Sequence, residues 1–387
     1  MGEALSQLDQ PILPSAMLGI LGGGQLGRFF VIAAHEMGYK VTVLDPDPNS
    51  PAGAIADIHL CKAFDDLSAL EEMRNTCQAV TTEFENVSAD SMDFISKKIH
   101  VSPSAESVRI AQYRVLEKTF LKESGLPVGP FEIIREDKDI PSETSSIYPA
   151  ILKVARFGYD GKGQTRVASQ KEAIAAFHQF SKQECVLEKM LPLDMEVSLV
   201  LARDQKGYIK TFNVSENIHT NGILDMSIVP ARSAKAINDL VDQLAKRVAE
   251  ALNYVGVLGV EFFISEGKVF VNEIAPRPHN SGHYTIDANV TNQFEQQVRV
   301  LAGLPLGSSR LHSSAVMVNL LGDVWTNSKT KEPDWDKVFK EPGLKMHLYG
   351  KHEARSGRKM GHFTVLDEKL DIAFQKAMEV RKLLGIA

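Results

Sequence analysis

Glu261 and Glu273 lie in apolar runs, residues 257–264 and 268–274, on either side of Glu266-Gly267-Lys268. The runs read as a β-hairpin, and a three-residue loop would place the two carboxylates opposite each other on one face. Like charges facing each other among Val260, Phe262, Val271 and Ile274 need a cation between them. Oxygen ligands beside phosphate select magnesium. The alternative, two solvated edge carboxylates, fits poorly with such apolar neighbours.

Other segments could supply the phosphate. Gly158-Tyr159-Asp160-Gly161-Lys162-Gly163-Gln164 follows Lys153, which sits on a strand. A glycine loop rich in backbone donors can fold over the end of a triphosphate while the strand lysine holds its oxygens from below. A hairpin loop with a solvated lysine is the plainer reading. Directly after Glu273, the proline-bracketed Arg277, His279, Asn280 and Ser281 suit an oxyanion held beside a metal-bound phosphate. Lys351, Arg355, Arg358 and Lys359 surround Gly350 and Gly357 as an anion clamp or a solvated face. The Gly22-x-Gly24-x-x-Gly27 turn, with Asp45 eighteen residues past Gly27, admits a dinucleotide, another phosphorylated ligand or a purely structural turn.

The elements that must carry these groups can be read from periodicity. Met17–Leu21, the glycine turn, a helix over 29–37 and Lys40–Leu44 open a parallel sheet, with further strands at Ala79–Thr82 and His100–Val101. A helix at 112–123 follows. From residue 148 the pattern becomes strands and glycine loops: Ala150–Val154, 165–168, Cys185–Lys189, 196–202 and 208–214. Ser169 and Glu172 form a capping box for a helix over 170–180. Ile237, Leu240, Val241, Leu244, Val248 and Leu252 mark an amphipathic helix, and strands at 315–321, 345–349 and 362–366 precede a helix over 370–384. The expected organisation is a flexible leader over 1–16, a doubly wound domain over 17–111, a central unit over 112–304 and a small C-terminal domain over 305–387. The fold class is thus α/β with α+β.

Composition excludes much else. The 387 residues, 44% hydrophobic and 24% charged, describe a folded chain of two or three domains. With 43 basic against 49 acidic residues the net charge is -6, which offers no general attraction to nucleic acid or anionic lipid. Cys61, Cys77 and Cys185 lack paired spacing and read as reduced, mostly buried thiols. No apolar run approaches the ~20 residues of a membrane span, and the N-terminus has no secretory pattern, so the cytoplasm is the expected setting.

Taken in order, GILGGGQLGR, TEFENV, GYDGKGQ, NEIAPRPHNSGH and KHEARSGRKMGH make the chain resemble the 5-(carboxyamino)imidazole ribonucleotide synthase family of ATP-grasp enzymes, from Met17 to the C-terminal helix. The resemblance implies a doubly wound N-terminal domain, a two-lobed ATP-grasp unit and a small C-terminal domain. It also implies joining of bicarbonate to the amine of aminoimidazole ribonucleotide at the expense of ATP and magnesium, in a homodimer. Carried over by motif, Arg114, Lys153, Asn272 and the loop at 158–164 hold ATP. Glu188 lies at the adenine edge, Lys189, Met190 and Leu191 also bind ATP, Glu196 lies at the ribose and His219 near the nucleotide. Glu261 and Glu273 bind the metal. Gly24, Gln25, Leu26 and Glu83 line the ribonucleotide site, Lys351 and Arg358 clamp its phosphate, and Tyr159 and Asp160 reach its amine. Arg277, His279, Asn280 and Ser281 hold the activated carboxylate. Many ATP-grasp proteins carry Asn two residues after the second metal carboxylate; this chain has Ala275, so either Asn272 contributes or phosphate and water complete the octahedron.

Another ATP-grasp ligase, of the formate-dependent glycinamide ribonucleotide transformylase type, is the alternative enzyme. An NAD-dependent dehydrogenase built on residues 22–45 would leave the second glycine loop and the paired carboxylates without a purpose. A binding module without catalysis would be expected to lack Lys153 or a metal carboxylate, and both are present.

Overall fold

The computed structural model describes residues 8–156, 163–328 and 330–386. Five strands, Met17–Leu21, Lys40–Leu44, Ile58–Leu60, Ala79–Thr82 and His100–Val101, pair in parallel, with the first at the centre between the second and fourth. Their apolar runs are covered by helix Gln25–Glu36 on one face and by Leu67–Thr76 and Ala89–Ser96 on the other. Gly22, at φ 102°, turns the chain out of the first strand where a Cβ would lie 2.4 Å from Glu83. The glycine is therefore required by conformation and by space.

A second sheet is antiparallel, in the order Phe131–Ile134, Cys185–Lys189, Ala150–Val154, Gln164–Val167. Helix Gln170–Gln179 packs on it, and the Ser169 hydroxyl accepts from the Glu172 N–H at 3.2 Å. The largest sheet has nine strands. It runs Lys268–Ala275, Gly256–Ser265, Met195–Arg203, Ser215–Thr220, Ile223–Val229, Ser314–Leu321, Lys359–Asp367, Leu344–Leu348, with Ile209–Thr211 paired beside Met195–Arg203. Helix Lys235–Ala251 buries Val241, Leu244, Ala245, Val248 and Ala249 against this sheet, as its spacing predicts. The C-terminal strands continue the central unit's sheet through pairing of Ser314–Leu321 with Ile223–Val229.

Several expectations need correction. The strand read at 208–214 is only Ile209–Thr211, and the next two strands, Ser215–Thr220 and Ile223–Val229, join the sheet without having been read at all. The helix read at 112–123 begins at Arg114, because Tyr113 is extended between it and helix Ala105–Gln112. The leader is packed over its described part: the Ile12 side chain is buried, its N–H bonds the Ala302 carbonyl at 2.9 Å, and Tyr39 donates to its carbonyl at 2.7 Å. Cys77 and Cys185 are buried and Cys61 is exposed, and all three are free thiols. No described helix is long and apolar enough to cross a membrane.

Candidate active site

Glu261 and Glu273 do face each other across the hairpin, but by a different route. The loop has two residues, Glu266 and Gly267, both at positive φ, and Ser265 pairs with Lys268. That even loop alone would set Asn272 opposite Glu261. A β-bulge then inserts one residue, so that Phe262 pairs with Val271 while Glu261 pairs with Glu273. Asn272 is the inserted residue, and its Nδ2 lies 3.4 Å from Glu261. Burial and the Glu273 charge push Glu261 up to about 7, while the same two causes push Glu117, behind the pair, up to about 8. Oxygen-only donors that resist ionisation together suit a divalent cation.

Beside this pair three cations surround one carboxylate. Glu188 lies 3.3 Å from Lys118 Nζ, 3.1 Å from Lys153 Nζ and 3.8 Å from Arg114. Burial alone would raise Glu188, but Lys118, Lys153 and Arg114 together hold it below the usual carboxylate range. Lys153 is lowered by burial and by the neighbouring Arg114 and Lys118, with Glu188 opposing. The Glu188 side chain is thus engaged by three cations. Arg114 also reaches Glu273 at 3.6 Å, which ties the cation group to the carboxylate pair. Gly158, Tyr159, Asp160, Gly161 and Lys162 lie outside the described residues, whereas Gly163 and Gln164 follow them into the strand beside Lys153.

The turn after Glu273 lies on the sheet. Gly259 allows this approach, since a Cβ there would sit 2.7 Å from that of His279. The Arg277 guanidinium binds both oxygens of Glu85 and donates to the Pro278 carbonyl. His279 lies between Ser281 Oγ, at 2.7 Å from Nδ1, and Glu261 Oε1, at 3.3 Å from Nε2. Burial, with Arg277, Lys359 and His219 nearby, keeps the His279 ring well below its usual pKa. Asn280 is 8% exposed, and neither atom of its side-chain amide has a hydrogen-bond partner among the described residues. His219 and Glu196 form an ion pair at 2.9 Å on the neighbouring strands.

The glycine turn is closed by carboxylates. Glu83 accepts from the N–H groups of Gly24 and Gly27, and Asp45 accepts from Gly23 at 2.7 Å. These donors, which a phosphate at the helix N-terminus would need, are therefore already engaged. Lys351 reaches the turn across 326 residues, its Nζ 2.8 Å from Gln25 Oε1. Arg358 does not share that contact and donates to the Glu353 carbonyl at 2.9 Å. Leu26 is buried under the turn.

Residues 119–294 match the ATP-grasp domain, residues 15–112 the ribonucleotide synthetase preATP-grasp domain, and residues 315–376 the phosphoribosylaminoimidazole carboxylase C-terminal domain. The N5-carboxyaminoimidazole ribonucleotide synthase of Bacillus subtilis (strain 168) is 41% identical over 364 residues, 94% of either chain. The chain belongs to the N5-carboxyaminoimidazole ribonucleotide synthase family. The N5-carboxyaminoimidazole synthetase of Staphylococcus aureus complexed with ADP superposes with a TM-score of 0.89 at 36% identity, covering 98% of this chain and 100% of that one. The Aspergillus clavatus synthase in complex with ADP and 5-aminoimidazole ribonucleotide gives 0.86 at 28% identity, covering 96% and 99%.

The sequence pattern did not single out Glu85, Glu117 and Lys118, which the structure brings to the site. Glu117 and Lys118 were legible in principle: with Arg114 and Leu121 they occupy one helical face at spacings of three and four, and buried charge on such a face is a signal. Glu85 stands two residues past Glu83, and only its ion pair with Arg277 distinguishes it.

The protein also holds a row of buried and half-buried rings. His283 and His347 each stack on His362 at 4.7 Å, Tyr349 lies 2.9 Å from His362 Nδ1, and Asp287 pairs with His347 at 2.8 Å. Ligand atoms of Asp287, His347 and His362 fall within 4.8 Å of one another, but stacked imidazoles present their faces to each other instead of converging lone pairs. Burial, then the neighbouring histidines, hold His362 well below its usual pKa. A histidine lowered in the folded state contributes stability that is complete above the unfolded pKa, about 6.5, and is lost as pH falls below it. His362→Gln should therefore reduce the slope of unfolding free energy against pH between about pH 6 and about pH 5 by one proton, ~1.4 kcal/mol per pH unit. Urea unfolding of both proteins across that range measures it. An unchanged slope would show that His362 takes up its proton in the folded state.

Proposed function

We infer that the carboxylate pair, the three buried cations and the turn after Glu273 form one reaction centre, and that the Lys351 loop brings the acceptor to it. The protein is an ATP-dependent ligase that carboxylates aminoimidazole ribonucleotide in purine biosynthesis. The observation that carries the assignment of roles is the facing of Glu261 and Glu273 beside Arg114, which joins a divalent-metal donor set to a phosphate-binding cation group.

Lys153, Lys118 and Arg114 would receive the ATP phosphates, with Glu188 keeping the three cations gathered before ATP arrives. Glu261 and Glu273 would hold magnesium, and Asn272 offers an amide oxygen that has no other partner among the described residues. When bound, the metal neutralises charge on the phosphate oxygens. The co-substrate is bicarbonate. Hydroxide is a poor leaving group, so bicarbonate must first be phosphorylated; the resulting carboxyphosphate expels phosphate readily. The unpartnered Asn280 amide can both donate to and accept from it, and His279 and Ser281 stand on either side. Arg277 is bound to Glu85, so it would act at this oxyanion through its remaining donors or by fixing the turn. Gly158, Gly161, Lys162 and Gly163 are assigned to covering the phosphates and excluding water, which would hydrolyse the intermediate. Tyr159 and Asp160 are assigned to the amine, Asp160 orienting it or accepting its proton. Glu196 and His219 are assigned to the nucleotide, as is the segment Lys189, Met190 and Leu191. A cytoplasmic setting is supported by the three free thiols, and a homodimer belongs to the same reading.

Gly24, Gln25, Leu26 and Glu83 would border the ribonucleotide, with Lys351 as the cation that meets them. Lys351→Ala should then raise the KM for aminoimidazole ribonucleotide about 10- to 100-fold in an ADP-release assay and leave the KM for ATP within about twofold. Arg358→Ala should have a smaller effect than Lys351→Ala, given its contact with the Glu353 carbonyl. Equal increases in both Michaelis constants for Lys351→Ala would remove Lys351 from the ribonucleotide site.

A further inference from the structure

On the face of the central sheet that carries Glu261, where Ser198 is paired directly opposite it, the neighbouring strands bury further polar groups. Ser198, Ser227 and Ser281 are fully buried, and Asn217 is 6% exposed. They lie on adjacent strands and on the turn above them, in one continuous series. Ser227 Oγ donates to Asn217 Oδ1 at 2.9 Å, and Asn217 Nδ2 donates to Ser198 Oγ at 2.9 Å. Ser198 Oγ lies 2.6 Å from Ser281 Oγ, which lies 2.7 Å from His279 Nδ1. At the far end His279 Nε2 is 3.3 Å from Glu261 Oε1.

The direction of the protons along this series is set at the ring end. An amide nitrogen can only donate, so Ser198 Oγ accepts from Asn217, and its own proton can go to Ser215 Oγ at 2.8 Å or to Ser281 Oγ at 2.6 Å. The backbone N–H of Ser281, which also can only donate, points at His279 Nδ1 at 3.4 Å. Nδ1 therefore accepts, so the Ser281 hydroxyl donates to it and takes the Ser198 proton in turn, with Asn217 filling an acceptor position of Ser198. A neutral ring then carries its single proton on Nε2, facing the Glu261 carboxylate.

We propose that Ser227, Asn217, Ser198 and Ser281 are a one-way donor chain that locks His279 in its Nε2–H tautomer and aims that proton at Glu261, with Asn217 and Ser198 acting as positioning residues. The chain holds the Glu261 carboxylate in the orientation from which it meets Glu273, and does so from a region that water does not reach. The outer partner of a metal-binding carboxylate usually changes affinity or turnover about 10- to 100-fold when removed. This consequence rests on the reading of Glu261 as a metal carboxylate, whereas the tautomer itself does not.

Histidine-selective 15N NMR of the wild-type protein, without nucleotide or metal, reads the tautomer directly, with the His279 signals assigned by their loss in His279→Gln. The Nε2–H form is expected, and an Nδ1–H form would overturn the proposal whatever the role of Glu261. Asn217→Asp replaces the donor by a group that only accepts, so the chain should reverse, the ring proton should move to Nδ1 and turnover should fall about 10- to 100-fold at unchanged KM for ATP. If that variant does not fold, Ser281→Ala cuts the chain at the ring and should populate both tautomers. A variant that keeps the pure Nε2–H form would show that the chain has no control over His279. A tautomer that shifts without any change in turnover or in magnesium dependence would overturn the positioning role of Asn217 and Ser198, while the metal role of Glu261 is tested separately by Glu273→Gln.

Discussion

Glu273→Gln lowers ADP release by about two to three orders of magnitude while the protein stays folded: that is the expected result if the facing carboxylates hold the metal. The size follows from losing an anionic ligand at a site where the metal supplies several kcal/mol of transition-state stabilisation. Folding should not suffer, because Glu273 is one of the charges that raise both Glu261 and Glu117, so its neutralisation relieves repulsion between buried groups. Arg114 loses a partner at 3.6 Å but keeps Glu188 at 3.8 Å. Activity should return in part as magnesium is raised well above the wild-type requirement, since Glu261 remains. Steady-state assays over a magnesium series, with unfolding measured in parallel, decide the matter. Wild-type turnover of the variant at ordinary magnesium would remove the pair from the metal site.

Glu188→Ala should cost about 3–5 kcal/mol of folding stability, because it leaves three cations without their shared counter-charge. Lys118 and Lys153 are 2% and 9% exposed, too deep for water to take the place of the carboxylate. The penalty is that of stranded charge and exceeds the net worth of the pairs. ATP brings phosphates to the same cations, so saturating ATP should recover part of the loss by binding only the folded state. Glu188→Gln, which keeps the shape and one acceptor, should fall between wild type and Glu188→Ala. Urea unfolding of the three proteins with and without ATP measures this. A loss below about 1 kcal/mol for Glu188→Ala would mean that solvent reaches the group or that the lysines discharge.

How the paired carboxylates come to face each other shows what local sequence can and cannot specify. Glu266-Gly267 is a two-residue turn signal, and read alone it offsets Glu261 from Glu273 by one position. The bulge at Asn272 restores the pairing. Nothing in the composition of Val271-Asn272-Glu273 marks it, because a bulge is chosen by the packing of the strand on its neighbours. The chemistry was legible, and its register was not.

The same division runs through the rest of the molecule. Amphipathic spacing determined helix Lys235–Ala251, and the apolar run before the glycine turn determined the first parallel strand, because each needs only a local period and one buried face. The residue types of the reaction centre were also visible in the sequence: two carboxylates in apolar runs, a strand lysine, and a stiff polar turn. What only the tertiary structure decided is which charge meets which. Glu188 faces three cations brought from helix Arg114–Glu123 and strand Ala150–Val154, Arg277 meets Glu85 across 192 residues, and Lys351 meets Gln25 across 326. The Gly24 and Gly27 N–H groups, which look like a phosphate site in sequence, are taken by Glu83, just past the end of the neighbouring strand Ala79–Thr82. Periodicity is a property of a few consecutive residues, whereas an ion pair at 3 Å depends on how distant elements are packed, and electrostatic energy changes steeply over that distance.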